Sequence, residues 1–201
     1  MTSAQVREFL AGLHSDRANV RFSSAKALCA ASDSHPAKVY PHFDEVARLL
    51  RQPNHILQWN GMRILAALAA VDRDNRIDRV LEEYLAPVAG PSMIGAAEAV
   101  AGGALIATAK PHLAERIADR ILQVEFASYT TEQCRNVVIG HTLKACERLA
   151  PLLPDASRLR AFAERQLDNP RQATRRKAER LLAWFDRVPK RMAAGGRHGV
   201  Q

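Results

Sequence analysis

The stretch HSDRANVRFSSAKAL, residues 14–28, decides the fold. It places Asp16 four positions ahead of a Val-Arg pair, after which come small residues and a leucine. Variants of this pattern return at residues 51–65, RQPNHILQWNGMRIL, and at residues 167–182, LDNPRQATRRKAERLL. A pattern that recurs along one chain predicts a repeat architecture.

Turn-forming residues punctuate the chain at nearly equal intervals. Successive markers lie 37, 38, 39 and 39 residues apart. The markers are Asp16, Pro53, Pro91, Thr130 and Asn169. Before each marker the apolar residues follow the 3.6-residue period of a helix, and after each marker a second segment rich in Ala and Leu does the same. We therefore predict an all-α chain of five helix pairs, with no strand.

Each predicted second helix carries a small residue at a corresponding place, with an apolar residue three positions later. The small residues are Ala25, Gly61, Ala97, Gly140 and Ala178. A small side chain lets two helix backbones approach closely. Because a single helix pair cannot bury its apolar faces alone, we expect each pair to stack on the next.

The stretch from Leu13 to Leu28 resembles a HEAT repeat, in which an Asp in the turn precedes a Val-Arg pair, small residues and a leucine. The second unit has Gln52 in place of the Asp, whereas the fifth keeps Asp168. The resemblance spans roughly residues 2–186. It implies a right-handed α-α superhelix of about five HEAT-like helix pairs, with first helices on the convex side and second helices lining the concave side.

Two residues of the first unit have specific predicted roles. The carboxylate of Asp16 is expected to cap the second helix by accepting hydrogen bonds from its free N–H groups. The resemblance implies that Arg21 reaches an acidic turn residue.

The bulk composition restricts the class of protein. Hydrophobic residues make up 47% of the chain and charged residues 25%, which is typical of a soluble globular protein. No run of about 18 apolar residues occurs, and Arg7 and Glu8 interrupt the place where a signal peptide would be apolar. The three cysteines are predicted to be reduced, so we expect a cytoplasmic protein that makes no membrane contact.

The positive charge is concentrated near the C-terminus. Residues 155–201 contain 12 Lys and Arg against 5 Asp and Glu, whereas residues 1–154 contain 17 against 16. Residues 187–201 have no periodic apolar face. We predict one solenoid domain over residues 1–186, followed by a basic, disordered tail over residues 187–201.

The sequence offers no recognisable catalytic machinery. It contains no phosphate-binding glycine loop, HExxH or GxSxG motif. No spacing of His, Cys and carboxylate residues completes a metal-ligand set. We therefore predict no catalytic residue, no metal and no cofactor.

The second helices supply the predicted binding residues. Opposite their apolar faces lies a ladder of His, Trp and cationic side chains that becomes stronger towards the C-terminus. Its members are His55, Trp59, Arg63, His141, Lys144, Arg148, Arg176, Lys177 and Arg180. A Trp with an Arg one turn further on suits stacking or cation–π contact. In the alternative interpretation, these cations are ordinary solubilising residues and the fifth unit is a polar capping repeat.

Two functions fit these features. The first is a non-enzymatic scaffold that holds a protein segment, acidic in character, in the concave groove. The second is nucleic-acid binding through the basic C-terminal region. Some HEAT-like solenoids are DNA glycosylases, but no Asp of the predicted groove stands next to Trp59 or Trp184, so this version has less support.

Overall fold

The computed structural model describes residues 1–187, and these fold into paired helices. The predicted tail lies outside the described residues except for Arg187. The helices are α1 (Ser3–Gly12), α2 (Ala18–Ser34), α3 (Pro36–Val39), α4 (Phe43–Ala47), α5 (His55–Leu68), α6 (Arg76–Leu85), α7 (Met93–Ala109), α8 (Ala114–Leu122), α9 (Glu132–Leu149), α10 (Ser157–Arg165) and α11 (Gln172–Arg187). Short 3₁₀ segments extend several of them, and the described residues contain no strand.

The helices form five repeats, each with a first and a second helix. The first helices are α1, the interrupted α3–α4 segment, α6, α8 and α10, and the second helices are α2, α5, α7, α9 and α11. Each second helix packs on the first helix of its own repeat and on the second helices of the neighbouring repeats. The described part of the chain is therefore an α-solenoid, as the repeat period predicts.

One continuous hydrophobic core runs through all five repeats. It begins at Val6 and Leu10 of α1 and ends at Leu181 of α11. The predicted apolar face of α9, formed by Ile139, Leu143, Cys146 and Ala150, is buried in it. The helical period of the sequence therefore identifies the core correctly.

The predicted turns connect first to second helices, and three of them supply helix caps. The Asn54 side chain accepts hydrogen bonds from the N–H groups of Ile56 and Leu57, at 3.0 and 3.3 Å. Ser92 Oγ and Thr131 Oγ1 each accept one N–H three residues later, at 3.1 Å. These polar side chains satisfy donors that the first helical turn leaves without an intrahelical partner.

The predicted cap at Asp16 is wrong. The N-cap residue of α2 is Arg17, and no side chain caps this helix. Arg21 does not reach an acidic side chain either: its guanidinium donates to the backbone oxygens of Ser15 and Asp16, at 2.7 and 2.9 Å. The carbonyl oxygens of this turn can accept hydrogen bonds from the guanidinium because they have no partner within a helix.

Arg175 repeats this arrangement in the fifth repeat. Its guanidinium donates to the backbone oxygens of Asn169 and Pro170, at 2.6 and 3.2 Å. The counterpart of the Val-Arg pair is therefore Thr174-Arg175. The feature common to the first and fifth repeats is an arginine whose guanidinium donates to backbone oxygens of the preceding turn. This contact does not depend on the side chains of the turn.

Small residues do bring helices close together, although at partly different places from those predicted. A Cβ on Gly61 would lie 2.6 Å from the Leu49 Cβ of the preceding first helix, and a Cβ on Gly140 would lie 3.0 Å from Thr174 Oγ1 of α11. In α7 the close approach is at Gly102, against the Tyr84 hydroxyl, and not at the partly exposed Ala97.

Ion pairs join the first helices of adjacent repeats. Arg76 pairs with Asp44 at 2.5 Å, and Arg116 pairs with Glu82 at 2.7 Å. The same kind of bridge joins Arg51 to Glu83, Arg158 to Asp119 and Arg165 to Glu125, and His112 Nε2 lies 2.7 Å from a carboxylate oxygen of Asp78. The carboxylates of this layer are thus used to neutralise cations of the neighbouring repeat.

The most buried ion pair joins three repeats at Asp72. Its carboxylate accepts a hydrogen bond from the Tyr40 hydroxyl at 2.7 Å and from the N–H groups of Arg76 and Ile77, at 2.9 and 3.1 Å. Lys110 Nζ lies 3.2 Å from the same carboxylate and also donates to Asn75 Oδ1 at 2.7 Å. This set connects repeat two, the start of α6 and the turn before α8.

Other described features bear on the class of protein. Cys29, Cys134 and Cys146 are free thiols. None of the helices among residues 1–187 combines the length and hydrophobicity that crossing a bilayer requires. In the same residues no three His, Cys, Asp or Glu side chains are grouped so that they could hold a metal ion.

Candidate functional site

The candidate site is the second-helix face, which we define as the exposed surface of α2, α5, α7, α9 and α11 on the side away from the first helices. Two adjoining depressions lie on it. Ala101 and Leu105 of α7 line both of them. The Leu105 side chain is 44% exposed and stands at the boundary.

The larger depression, which we call the alanine cavity, has a volume of about 670 Å³. Five alanines of α5, of the 3₁₀ segment that follows it and of α7 line it: Ala66, Ala67, Ala70, Ala101 and Ala109. Its charged residues are Asp33, Arg63 and Glu98. The hydroxyl of Tyr84 reaches its wall but is already used, because it donates to the Met62 carbonyl at 3.1 Å.

Glu98 is the half-buried carboxylate of the alanine cavity. Burial raises its pKa above the ordinary value, and the positive charge of Arg63 opposes that rise. The two side chains do not form an ion pair in the described structure. Glu98 therefore presents a partly desolvated acceptor to anything that enters this cavity.

The smaller depression, which we call the cationic cavity, has a volume of about 200 Å³ and lies between α7 and α9. His141, Lys144 and Arg148 line its α9 side. All three are exposed, as the helical period predicts, and their role in binding stays a prediction.

Positive charges from α11 and the turn before it extend the cationic cavity. Burial lowers the pKa of Lys177, and the positive charges of Arg171, Arg180 and Lys144 lower it further. Burial also lowers the pKa of His141, with smaller contributions from Lys177, Lys144 and Arg171. These mutual effects show a cluster of positive charge that an anion would stabilise.

Among the described residues, no acidic side chain lies within ion-pair distance of the cations of this cluster, although the Glu147 carboxylate acts on Lys177 from further away and opposes the lowering of its pKa. Lys144, Arg148, Lys177 and Arg180 form no ion pair with any residue between 1 and 187. In the first-helix layer, by contrast, acids of neighbouring repeats pair with many of the cations. The charge of the second-helix face is therefore left for a ligand or for solvent.

The remaining predicted residues differ in their placement. Lys177 is not fully outward as expected, because its Nζ donates to the Gly140 carbonyl at 2.9 Å. Arg176 and Arg180 are exposed, and the Arg180 side chain donates to the Arg176 carbonyl at 3.3 Å. On α11, Lys177 therefore contributes to the packing of α11 on α9, whereas Arg176 and Arg180 lie at the surface.

His55 and Trp59 lie at the start of α5 and line neither the alanine cavity nor the cationic cavity. Their rings are stacked, with centroids 6.2 Å apart and planes at 15°. Trp59 is half-buried and is not among the side chains that pack against the core. Arg63, one turn further on, lines the alanine cavity instead.

The sequence analysis did not identify three residues of the second-helix face, which are Asp33, Leu105 and Arg171. Asp33 is the residue that α2 contributes to the alanine cavity. Arg171 lies in the turn before α11. Leu105 belongs to an Ala-rich run that hides which side faces outward. For Asp33 and Leu105 the available signal was the helical period, which places both opposite the buried residues of their helices.

Comparison with known proteins adds little to these observations. No family model and no curated protein matches the chain. Among solved structures it is similar to a designed armadillo repeat protein, with a TM-score of 0.42 and 11% sequence identity over 91% of this chain and 99% of the designed one. The fold therefore rests on the helix contacts above, and membership of the HEAT family stays a prediction.

Proposed function

We propose that this chain is a non-enzymatic binding scaffold whose second-helix face holds an acidic segment of another protein. The observation that carries the proposal is the cationic cluster of α9 and α11, whose charges lack acidic partners within the described residues. A carboxylate placed there would gain Coulomb attraction without first breaking an intramolecular ion pair.

The cavities support a peptide as the ligand. Small side chains on α5 and α7 leave room for the side chains of a bound segment, and Leu105 offers an exposed apolar contact. Repeat solenoids use extended surfaces of this kind for recognition. The three free thiols fit the cytoplasmic location that we also propose.

Nucleic-acid binding is the second function that the charge allows. A phosphate backbone would need a cationic track along several repeats. Asp33 and Glu98 would repel a phosphate backbone over the α2–α7 part of the face, whereas a protein segment need be acidic only where it meets α9 and α11, and this favours the protein segment.

The test is binding of a fluorescently labelled glutamate-rich peptide, measured by anisotropy at low salt. Replacing Lys144 and Arg148 together by Ala should weaken binding about tenfold, because two unneutralised cations are lost. The matched control is the double replacement Arg73→Ala plus Arg79→Ala, which removes the same charge from exposed residues of the third repeat outside this face.

The proposal fails if the peptide does not bind, or if the control variant weakens binding as much as the cavity variant does. An unlabelled single-stranded oligonucleotide serves as competitor. If the oligonucleotide binds more tightly than the peptide and depends on the same two cations, the function is nucleic-acid binding and not peptide binding.

A further inference from the structure

The charges of the second-helix face are separated along the solenoid. Asp33 and Glu98 lie at the alanine cavity, whereas the unneutralised cations lie on α9 and α11. Between them Leu105 and the alanines of α7 form an apolar stretch that belongs to both cavities. The face thus has two carboxylates and one arginine at the alanine cavity, apolar residues shared by both cavities, and cations at α9 and α11.

We propose that the preferred ligand is an extended segment whose own charges are separated in the complementary order. A Lys or Arg of the segment would approach Glu98 and Asp33, apolar residues would cover Leu105 and the alanines, and acidic residues would reach Lys144 and Arg148. This inference rests on the proposed function and specifies the partner that the same face selects.

The geometry of the face supports a basic group at the alanine cavity. Arg63 is the one cation that lines it, against the two carboxylates of Asp33 and Glu98. Glu98 is half-buried and takes part in no described ion pair, so a cation from the ligand would restore the interaction that its carboxylate loses with water. A purely acidic segment would meet like charge at this place.

The spacing of the helices sets the length of the segment. Packed helices lie about 8–10 Å apart, so α7, which carries Glu98, is about 8–10 Å from α9 and about 16–20 Å from α11. An extended peptide advances about 3.3 Å per residue. About three to six residues therefore separate the basic residue of the segment from its acidic residues.

The test compares two labelled peptides of identical composition. In the segregated peptide, lysines stand at one end, leucine and alanine in the middle, and glutamates at the other end. In the mixed peptide the same residues alternate in charge. We expect the segregated peptide to bind at least tenfold more tightly to the full chain, and we expect Glu98→Gln to remove most of that preference.

Control measurements separate this inference from the proposed function. A third peptide, in which alanines replace the lysines, should bind the wild type and Glu98→Gln equally. The matched control variant is Glu115→Gln, an exposed carboxylate of the first helix α8, and it should leave the preference unchanged.

Equal binding of the segregated and mixed peptides would overturn the inference and leave the acidic-segment scaffold standing. If both Glu98→Gln and Asp33→Asn keep the preference for the segregated peptide, the inference is also overturned, because the lysines of the peptide would then bind at another place. Failure of all three peptides to bind would overturn the inference together with the proposed function.

Discussion

The Asp72 side chain connects the second repeat, the start of α6 and the turn before α8. Burial alone would raise the pKa of its carboxyl, but hydrogen bonds from Tyr40, from the N–H groups of Arg76 and Ile77, and from Lys110 together lower it. The ionised form is therefore the stable one in the folded protein. Its counter-charge, Lys110, is itself buried, so neither group can be removed without leaving the other without its partner.

We predict that Asp72→Asn lowers the free energy of unfolding by about 2–4 kcal/mol, because the variant leaves the Lys110 ammonium buried without a carboxylate. The measurement is urea unfolding at neutral pH. The matched control is Asp16→Asn, which replaces an exposed carboxylate without a capping role and should change stability by less than about 0.5 kcal/mol.

The same substitution has a pH dependence of defined sign. A carboxyl whose pKa is lower in the folded than in the unfolded protein stabilises the fold above the unfolded value, about 3.9 for Asp. That stabilisation is lost as the pH falls through the folded pKa. The difference between wild type and Asp72→Asn should therefore be largest at neutral pH and shrink in acid; a difference that grows in acid would contradict this account.

At the scale of the helix, close packing depends on glycines at the places where one helix contacts another. Gly61 of α5 lies against Leu49, and the neighbouring atom is a Cβ, which cannot rotate away. Gly95 of α7 has more room, since its nearest neighbours would lie 3.3–3.5 Å from an added Cβ. Two glycines in comparable helices thus have different structural roles.

We predict that Gly61→Ala destabilises the protein by about 1–3 kcal/mol, because the α5 backbone must move away from Leu49. This cost exceeds the gain in helix propensity, which is at most about 1 kcal/mol. Gly95→Ala, measured by the same urea unfolding, should be close to neutral. Equal effects of the two substitutions would show that propensity and not the close approach decides the outcome.

At the scale of the whole molecule, the continuous core couples the five repeats. Each repeat contacts its neighbours through the second helices, and ion pairs of the first helices cross the same boundaries. In a short solenoid with such interfaces, the unfolding of one repeat exposes the apolar face of the next. Cooperative unfolding of the described repeats is therefore expected.

The two tryptophans test this cooperativity, since Trp59 lies in the second repeat and Trp184 in the fifth. In the single-tryptophan variants Trp184→Phe and Trp59→Phe, the fluorescence midpoint in urea should coincide with the circular-dichroism midpoint of the same variant. Comparison within each variant removes any effect of the substitution itself. A fluorescence transition that precedes the loss of helix in either variant would show that one end unfolds separately.

Sequence reasoning is accurate for the features that the apolar period of a helix decides, although it places a cap of α2 wrongly at Asp16. The turns, the two helices of each repeat and the buried face of α9 follow from the 3.6-residue period, because burial on one side of a helix imposes that period on its residues. The solvent-facing position of His141, Lys144 and Arg148 follows for the same reason. The division into a domain of residues 1–186 and a tail stays a prediction.

The tertiary structure decided which charges have partners. The partners of Arg116 and Arg165 lie 34 and 40 residues away, and Lys110 meets an Asp72 that lies 38 residues away. Such pairs depend on the register in which one repeat stacks on the next, which local periodicity does not contain. The sequence therefore determined an α-solenoid with cations on its second helices. Only the packing of the repeats decided that Lys144 and Arg148 of α9, and Lys177 and Arg180 of α11, form no ion pair within the described residues.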